Sequence, residues 1–316
     1  MPGLLYSLSF RAMGCQMGAW VVHEDPVLAN LHLRRVQESF RMVERRFSRF
    51  LPESELSRLN ARPGQHVRIS PIFGEVLGKA LEFAARTGGL FDPTVLTALE
   101  DAGYDRTFEA IQEDATPLTR GSPPSPSWRD IEVGTGTVSL PEGLRLDLGG
   151  IVKAWAARHA ANLLSALGPC LVDAGGDLMA LGSLPNQPGW PIGVADPRDP
   201  SRDLAVLWVR DRGVATSGLD FRRWKRGGVI HHHIIDPRTW QPAQTDVFTV
   251  TVVAEDVLEA NLHALVTMIL GARDGLRYLL NQKGVEALMV REDAQVLTTP
   301  GFATYVAYPN MGGFRG

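Results

Sequence analysis

The stretch LRLDLGGIVKAW, residues 144–155, decides the fold class. Leu144, Leu146 and Leu148 alternate with Arg145 and Asp147, the period of a half-buried strand. Gly149-Gly150 breaks that pattern, and the spacing predicts a helix over 151–167, ended by Gly168-Pro169. A strand that feeds a helix makes the chain mixed, and its neighbours say which kind. Upstream, 131–133 and 138–140 flank a GTG turn and read as a hairpin. Downstream, a strand over 170–173 runs into Gly175-Gly176-Asp177, and further β segments fall at 190–195, 204–209 and 247–253. Helices are predicted over 26–47, with Asp25 as cap and Leu33, Val36, Phe40, Val43 and Phe47 on one face, and over 70–87. Two more follow at 257–270, closing at Gly271, and at 275–282. The expectation is a single α+β domain over 1–316, built on a largely antiparallel sheet with flanking helices. The Pro/Ser-rich segment 116–128 reads as a surface loop inside it.

Composition narrows the function. Lys plus Arg is 32 against 35 Asp plus Glu, a net charge of −3, without the basic excess of a nucleic-acid binder. Two cysteines, Cys15 and Cys170, make neither a disulfide scaffold nor a zinc cluster. No apolar run reaches the roughly 18–20 residues of a membrane span. The first residues, MPGLLYSLSFRAMG, lack a basic segment followed by a long apolar one, so the expected location is cytoplasmic.

Polar and glycine-bearing clusters sit at element ends, where sites are usually built. In TGGLFDPT (87–94), Phe91 offers an aromatic face and Asp92 an acceptor; the same segment also reads as a helix stop and turn. Strand, Gly-Gly and helix at 146–155 form either an anion site, with Lys153 one turn in, or an ordinary tight connection. Asp173 and Asp177 flank the glycines of VDAGGDLMALG (172–182), a metal or ribose contact or a plain turn. In HHHIIDP (231–237) a continuous strand would put His231 and His233 on one face, with no third zinc ligand nearby. Met13 and Phe50 alone read as core residues.

Taken together, AMGC (12–15), SRFLPESELSRLN (48–60), TGGLFDPT, LDLGGIVKAW, DAGGDL (173–178), ATSG (215–218) and HHIIDPRT (232–239) resemble, in order, the motifs of the FAD:protein FMN transferase family, the ApbE-type flavin transferases. The resemblance runs from about Phe10 to Gly271. It implies a single α+β domain that binds FAD, uses Mg²⁺, moves FMN onto a Thr or Ser of an acceptor protein and releases AMP. It further implies that Met13, Phe50, Leu90, Phe91, Asp92, Asp147, Lys153 and Ile235 contact FAD, that His233 is the base, and that the Gly150 carbonyl is a magnesium ligand. The family's remaining metal positions, an Asp and a Thr, fall on Asn261 and Leu265, and Cys15 replaces a Thr. An amide ligates Mg²⁺ more weakly than a carboxylate, and a leucine side chain offers no oxygen. The departures leave two alternatives open: an FAD-binding carrier or regulator without activity, and a pyrophosphatase that splits FAD to FMN and AMP.

Overall fold

Side-chain caps start two of the expected helices, at Asp25 and Ser70. The computed structural model describes residues 3–116, 121, 123 and 125–307. In chain order the strands are β1 (Leu4–Ala12), β2 (Cys15–His23), β3 (Val67–Arg68), β4 (Glu132–Gly134), β5 (Thr137–Ser139), β6 (Cys170–Ala174), β7 (Asp177–Leu181), β8 (Trp190–Asp196) and β9 (Asp199–Val209). They continue as β10 (Arg212–Gly218), β11 (Arg223–Arg226), β12 (Val229–His232), β13 (Ile235–Asp236), β14 (Gln241–Pro242), β15 (Val247–Ala254), β16 (Glu286–Arg291) and β17 (Val296–Thr298). The helices are α1 (Pro26–Phe47), α2 (Glu55–Asn60), α3 (Pro71–Arg86), α4 (Leu96–Asp101), α5 (Gly149–Ser165) and α6 (Val257–Leu280). Asp25 Oδ1 accepts the amides of Val27 and Leu28 at the start of α1, and Ser70 Oγ accepts that of Phe73 in α3. The two helices expected at the C-terminal end are the two arms of α6, broken at Gly271 (φ 79°, ψ 173°). Asp246 Oδ1 accepts the Ala272 amide and restarts the second arm.

The chain forms two compact units. The first comprises Met1–Arg41, Lys153–Asp220 and Thr245–Gly316. Its sheet has the strand order β1-β2-β6-β7-β10-β15-β16-β17. Every neighbouring pair in it is antiparallel. The β8–β9 ribbon alternates and buries Trp190, Ile192, Val194, Leu207 and Val209 against Val214, Val253, Leu288 and Val290 of the sheet. Helix α6 packs on β10 and β15. Being covered on both faces, β15 is buried along nearly its whole length instead of alternating.

The second unit comprises Met42–Val152 and Phe221–Gln244. It holds the small sheet β3-β5-β4, the hairpins β11–β12 and β13–β14, and helices α2, α3 and α4. Its core includes the stacked pair Phe47–Phe73 and the edge-on pair Phe83–Phe91. The expected hairpin is β4–β5, in register Val133↔Val138. The alternating stretch 144–148 is a correction: it is extended, with Leu144, Leu146 and Leu148 buried, but it joins no sheet. Its backbone is satisfied differently. The Asn60 side chain accepts the Leu146 amide at 2.8 Å and donates to the Leu146 carbonyl at 2.8 Å, standing in for a neighbouring strand. The Asp147 amide donates to the Pro93 carbonyl. The two glycines that follow are the first residues of α5, not a turn before it. The loop expected over 116–128 lies partly outside the described residues; Trp128 opens a short 3₁₀ turn capped by Ser127.

No helix among the described residues is long and apolar enough to cross a membrane.

The tightest contact between sheet and helix in the first unit is at Gly213, where a Cβ would lie 2.0 Å from the Val257 amide nitrogen. Neither neighbour is a flexible side chain, so Gly213→Ala is expected to lower stability by about 3 kcal/mol, with overpacking as the cause. Urea unfolding monitored by circular dichroism reads the shift; an unchanged midpoint would refute the contact.

Candidate functional site

In the first unit, polar groups gather where strand ends meet. Met13 (φ 52°) and Gly14 (φ 69°) form the two-residue turn between β1 and β2, whose last pair is Ala12↔Cys15. Gly175 (φ 66°) and Gly176 (φ 93°) turn β6 into β7. A Cβ on Gly175 would sit 2.8 Å from the Cys15 Cβ, so the two turns lie side by side. Asp173 Oδ1 accepts the Gly176 amide at 2.8 Å. Burial, with the neighbouring Asp177 adding to it, raises the Asp173 carboxyl above its usual range.

Asp177 is 2% exposed and its two oxygens face different partners. Lys153, on α5, donates its Nζ to Oδ2 at 2.8 Å and stands 3.5 Å from the Ala174 carbonyl. Asn261, on α6, donates Nδ2 to Oδ1 at 3.4 Å. Asn261 Oδ1 is buried and has no hydrogen-bond partner among the described residues. Leu265, one turn further along α6, is half-buried and brings no side-chain donor. Of the sequence-predicted residues, Met13, Lys153, Asn261 and Leu265 lie in this unit.

The others lie in the second unit, and three of them meet there through a residue the sequence reading passed over. Arg49 has a side chain only 7% exposed and pairs its Nε with Asp147 Oδ2 at 3.0 Å. Its guanidinium lies over the rings of Phe50 (4.3 Å) and Tyr104 (4.5 Å). Tyr104 packs on Trp224 at 5.5 Å, and both belong to a cluster with Ile235, Trp240, Leu99 and the partly buried Phe50. Trp224 Nε1 donates to the Ala102 carbonyl at 2.7 Å. Gly103 (φ 100°) permits that approach, since a Cβ there would stand 3.1 Å from Nε1. Phe50, Asp147 and Ile235 are thus drawn to one aromatic platform. The signal for Arg49 was its place beside Phe50 in SRF, which carries a cation next to an aromatic.

Asp147 does a second job: Oδ1 accepts the Gly149 amide at 2.8 Å and caps α5. A Cβ at Gly149 would lie 2.9 Å from that oxygen, which explains the glycine there. Gly149 and Gly150 are exposed at the start of α5. Leu90 is half-buried, whereas the Phe91 ring is 3% exposed and packs edge-on against Phe83, so it faces the core. Asp92 accepts from the Thr94 amide (2.8 Å) and hydroxyl (2.6 Å), while burial raises its carboxyl above the usual range.

The three histidines are not equivalent. Strand β12 ends at His232, so His231 and His233 do not share a strand face as the alternation implied. His231 is opposite Trp224. His232 is buried; its Nε2 lies 3.0 Å from the Ala243 carbonyl, and its Nδ1 accepts the Ile234 amide at 3.3 Å. That pattern fits a neutral ring with the proton on Nε2. Burial, aided by Arg223 and His231, lowers its pKa to about 4. His233 is half-buried in the short segment between β12 and β13.

The pattern of the ApbE family matches residues 13–289. A "FAD:protein FMN transferase" of Treponema pallidum is 34% identical over 280 residues, 80% of this chain and 75% of the relative. A protein of the same name from Rhodobacter capsulatus is 31% identical over 83% of this chain, which spans half of that relative's length. The crystal structure of the ApbE protein of Thermotoga maritima superimposes with a TM-score of 0.86 at 25% identity, covering 96% of this chain and all of that one. A fold of this closeness and a motif match over most of the sequence agree, and the chain belongs to the ApbE family.

Proposed function

We propose that this protein transfers the FMN moiety of FAD to a Thr or Ser hydroxyl of an acceptor protein and releases AMP, and that residues 1–316 act as one such domain in the cytoplasm. The observation that carries the reading is the 34% identity to a flavin transferase, together with the convergence of Phe50, Asp147 and Ile235 on the Arg49 platform. His233 takes the proton of the acceptor hydroxyl, a task suited to an imidazole near neutral pH. The hydroxyl oxygen attacks the FMN phosphorus, the bond from that phosphorus to the bridging oxygen breaks, and AMP leaves with that oxygen and the electron pair. Lys153 supplies positive charge to the diphosphate, and its pairing with buried Asp177 fixes where the ammonium sits.

Among the described residues no group of three or more His, Cys, Asp or Glu side chains could hold a metal. Asn261 Oδ1, buried and without a partner among the described residues, is nonetheless a hard oxygen on a residue that touches Asp177, and these two side chains would hold a weakly bound Mg²⁺. Bound there, the ion would neutralise charge on the diphosphate.

Three outcomes are expected. His233→Ala lowers transfer by about 10²- to 10⁴-fold, read as FMN mass on an acceptor domain. A variant that transfers at full rate removes His233 from the mechanism, and free FMN without acceptor would make the protein a pyrophosphatase instead. Asn261→Asp sets a second carboxylate beside Asp177, so the variant melts lower than wild type without Mg²⁺ and regains stability when Mg²⁺ is added; equal melting in both conditions refutes the assignment. His232, lowered from 6.5 to about 4 in the folded state, favours the fold fully above its unfolded pKa and loses that contribution as pH falls through the folded value. Stability should therefore drop by about 3 kcal/mol between about pH 6.5 and pH 4 on its account. His232→Gln should flatten that part of a melting-temperature profile, and an identical slope would contradict it.

A further inference from the structure

Resting on the transferase reading, we propose that Arg49 is a substrate-binding residue whose Nη2 donates a hydrogen bond to a ring acceptor of one of FAD's two planar heterocycles. Nη2 is buried and has no acceptor among the described residues, although the side chain as a whole is 93% removed from solvent. A buried donor left without an acceptor is destabilising unless a ligand meets it. Two contacts fix the guanidinium. Nε is tied to Asp147, and the flat face is held over Phe50 and Tyr104, so Nη2 has little freedom to find another partner.

The charge balance says what kind of acceptor belongs there. Arg49 and Asp147 form a pair with no net charge, and the remaining Asp147 oxygen is taken by the Gly149 amide. A neutral pair with one spare N–H matches a neutral acceptor, a ring carbonyl oxygen or ring nitrogen, better than a phosphate. Phosphate would call for uncompensated positive charge, which a neutral pair does not offer. The surroundings agree: the guanidinium lies over Phe50 and Tyr104, and Tyr104 packs on Trp224, an apolar aromatic setting that suits a planar heterocycle. Isoalloxazine and adenine both carry such acceptors, and the two halves of FAD can be supplied separately.

The test is titration of the full chain and of Arg49→Met with FAD, FMN and AMP by calorimetry. Arg49→Met is expected to weaken FAD and one of the two half-ligands at least 10-fold, leaving the other within 2-fold. Loss confined to FMN places isoalloxazine at Arg49, and loss confined to AMP places adenine there. Because Arg49→Met leaves Asp147 without its cation, Arg49→Lys is titrated as well. It keeps the charge but lacks the second, forked donor, so it should fold, as checked by circular dichroism, and still lose binding of the same half-ligand. Folded Arg49→Lys that binds FMN and AMP as wild type does overturns the proposal while leaving the transferase reading intact. Equal loss of both half-ligands also overturns it, as a general effect on folding. Wild type that binds no FAD overturns both.

Discussion

The second unit depends on one carboxylate. Asp147 caps α5 through Gly149 with one oxygen and holds Arg49 with the other. Both roles require the segment 144–148 to be extended and fixed, and that is done outside any named strand, with an isolated parallel bridge from Arg145 to Val95. Asn60 reproduces the hydrogen bonds of a strand at Leu146, and Pro93 accepts the Asp147 amide. Leu144, Leu146 and Leu148 anchor the same segment in the core. The three motifs that contain Asn60, Pro93 and Asp147 are far apart in sequence yet form one hydrogen-bonded unit. Their spacing along the chain is therefore a packing requirement as much as a chemical one.

In the first unit the corresponding constraint is the burial of Asp177. A carboxylate 2% exposed needs compensation, and it has two kinds: the Lys153 ammonium on one oxygen and the Asn261 amide on the other. The glycines at 175 and 176 serve this arrangement, because the turn that presents Asp177 needs positive φ at both positions and close approach to Cys15.

Much of this was legible because it rests on local signals. Caps at Asp25 and Ser70, and the glycine at 271, mark the helix ends to within a residue or two, since each satisfies or releases specific backbone groups. The stretch 144–148 misled because alternation reports only that one side is buried. It does not report whether the backbone pairs with a strand or with an asparagine side chain. The histidine triplet misled for a related reason: where a strand stops is decided by Ala243 accepting from His232, eleven positions along the chain. Arg49 was passed over because a buried arginine is identified by its partners, Asp147 and Tyr104, and these come from segments about 98 and 55 residues away.

Asn261 is the departure that the structure makes intelligible. With Lys153 on Asp177, the cluster of Asp177, Lys153 and Asn261 carries no net charge, and the asparagine donates to Asp177 where a carboxylate would oppose it. An Asp at 261 would put two carboxylates in contact and would need a dication to hold them together. Asparagine at this position balances Asp177 through Nδ2 and leaves its own Oδ1 buried without a partner among the described residues. With or without an ion, Asp177 therefore keeps a partner on each oxygen. The ammonium of Lys153, fixed by a buried partner, is the positive charge that stays in place either way.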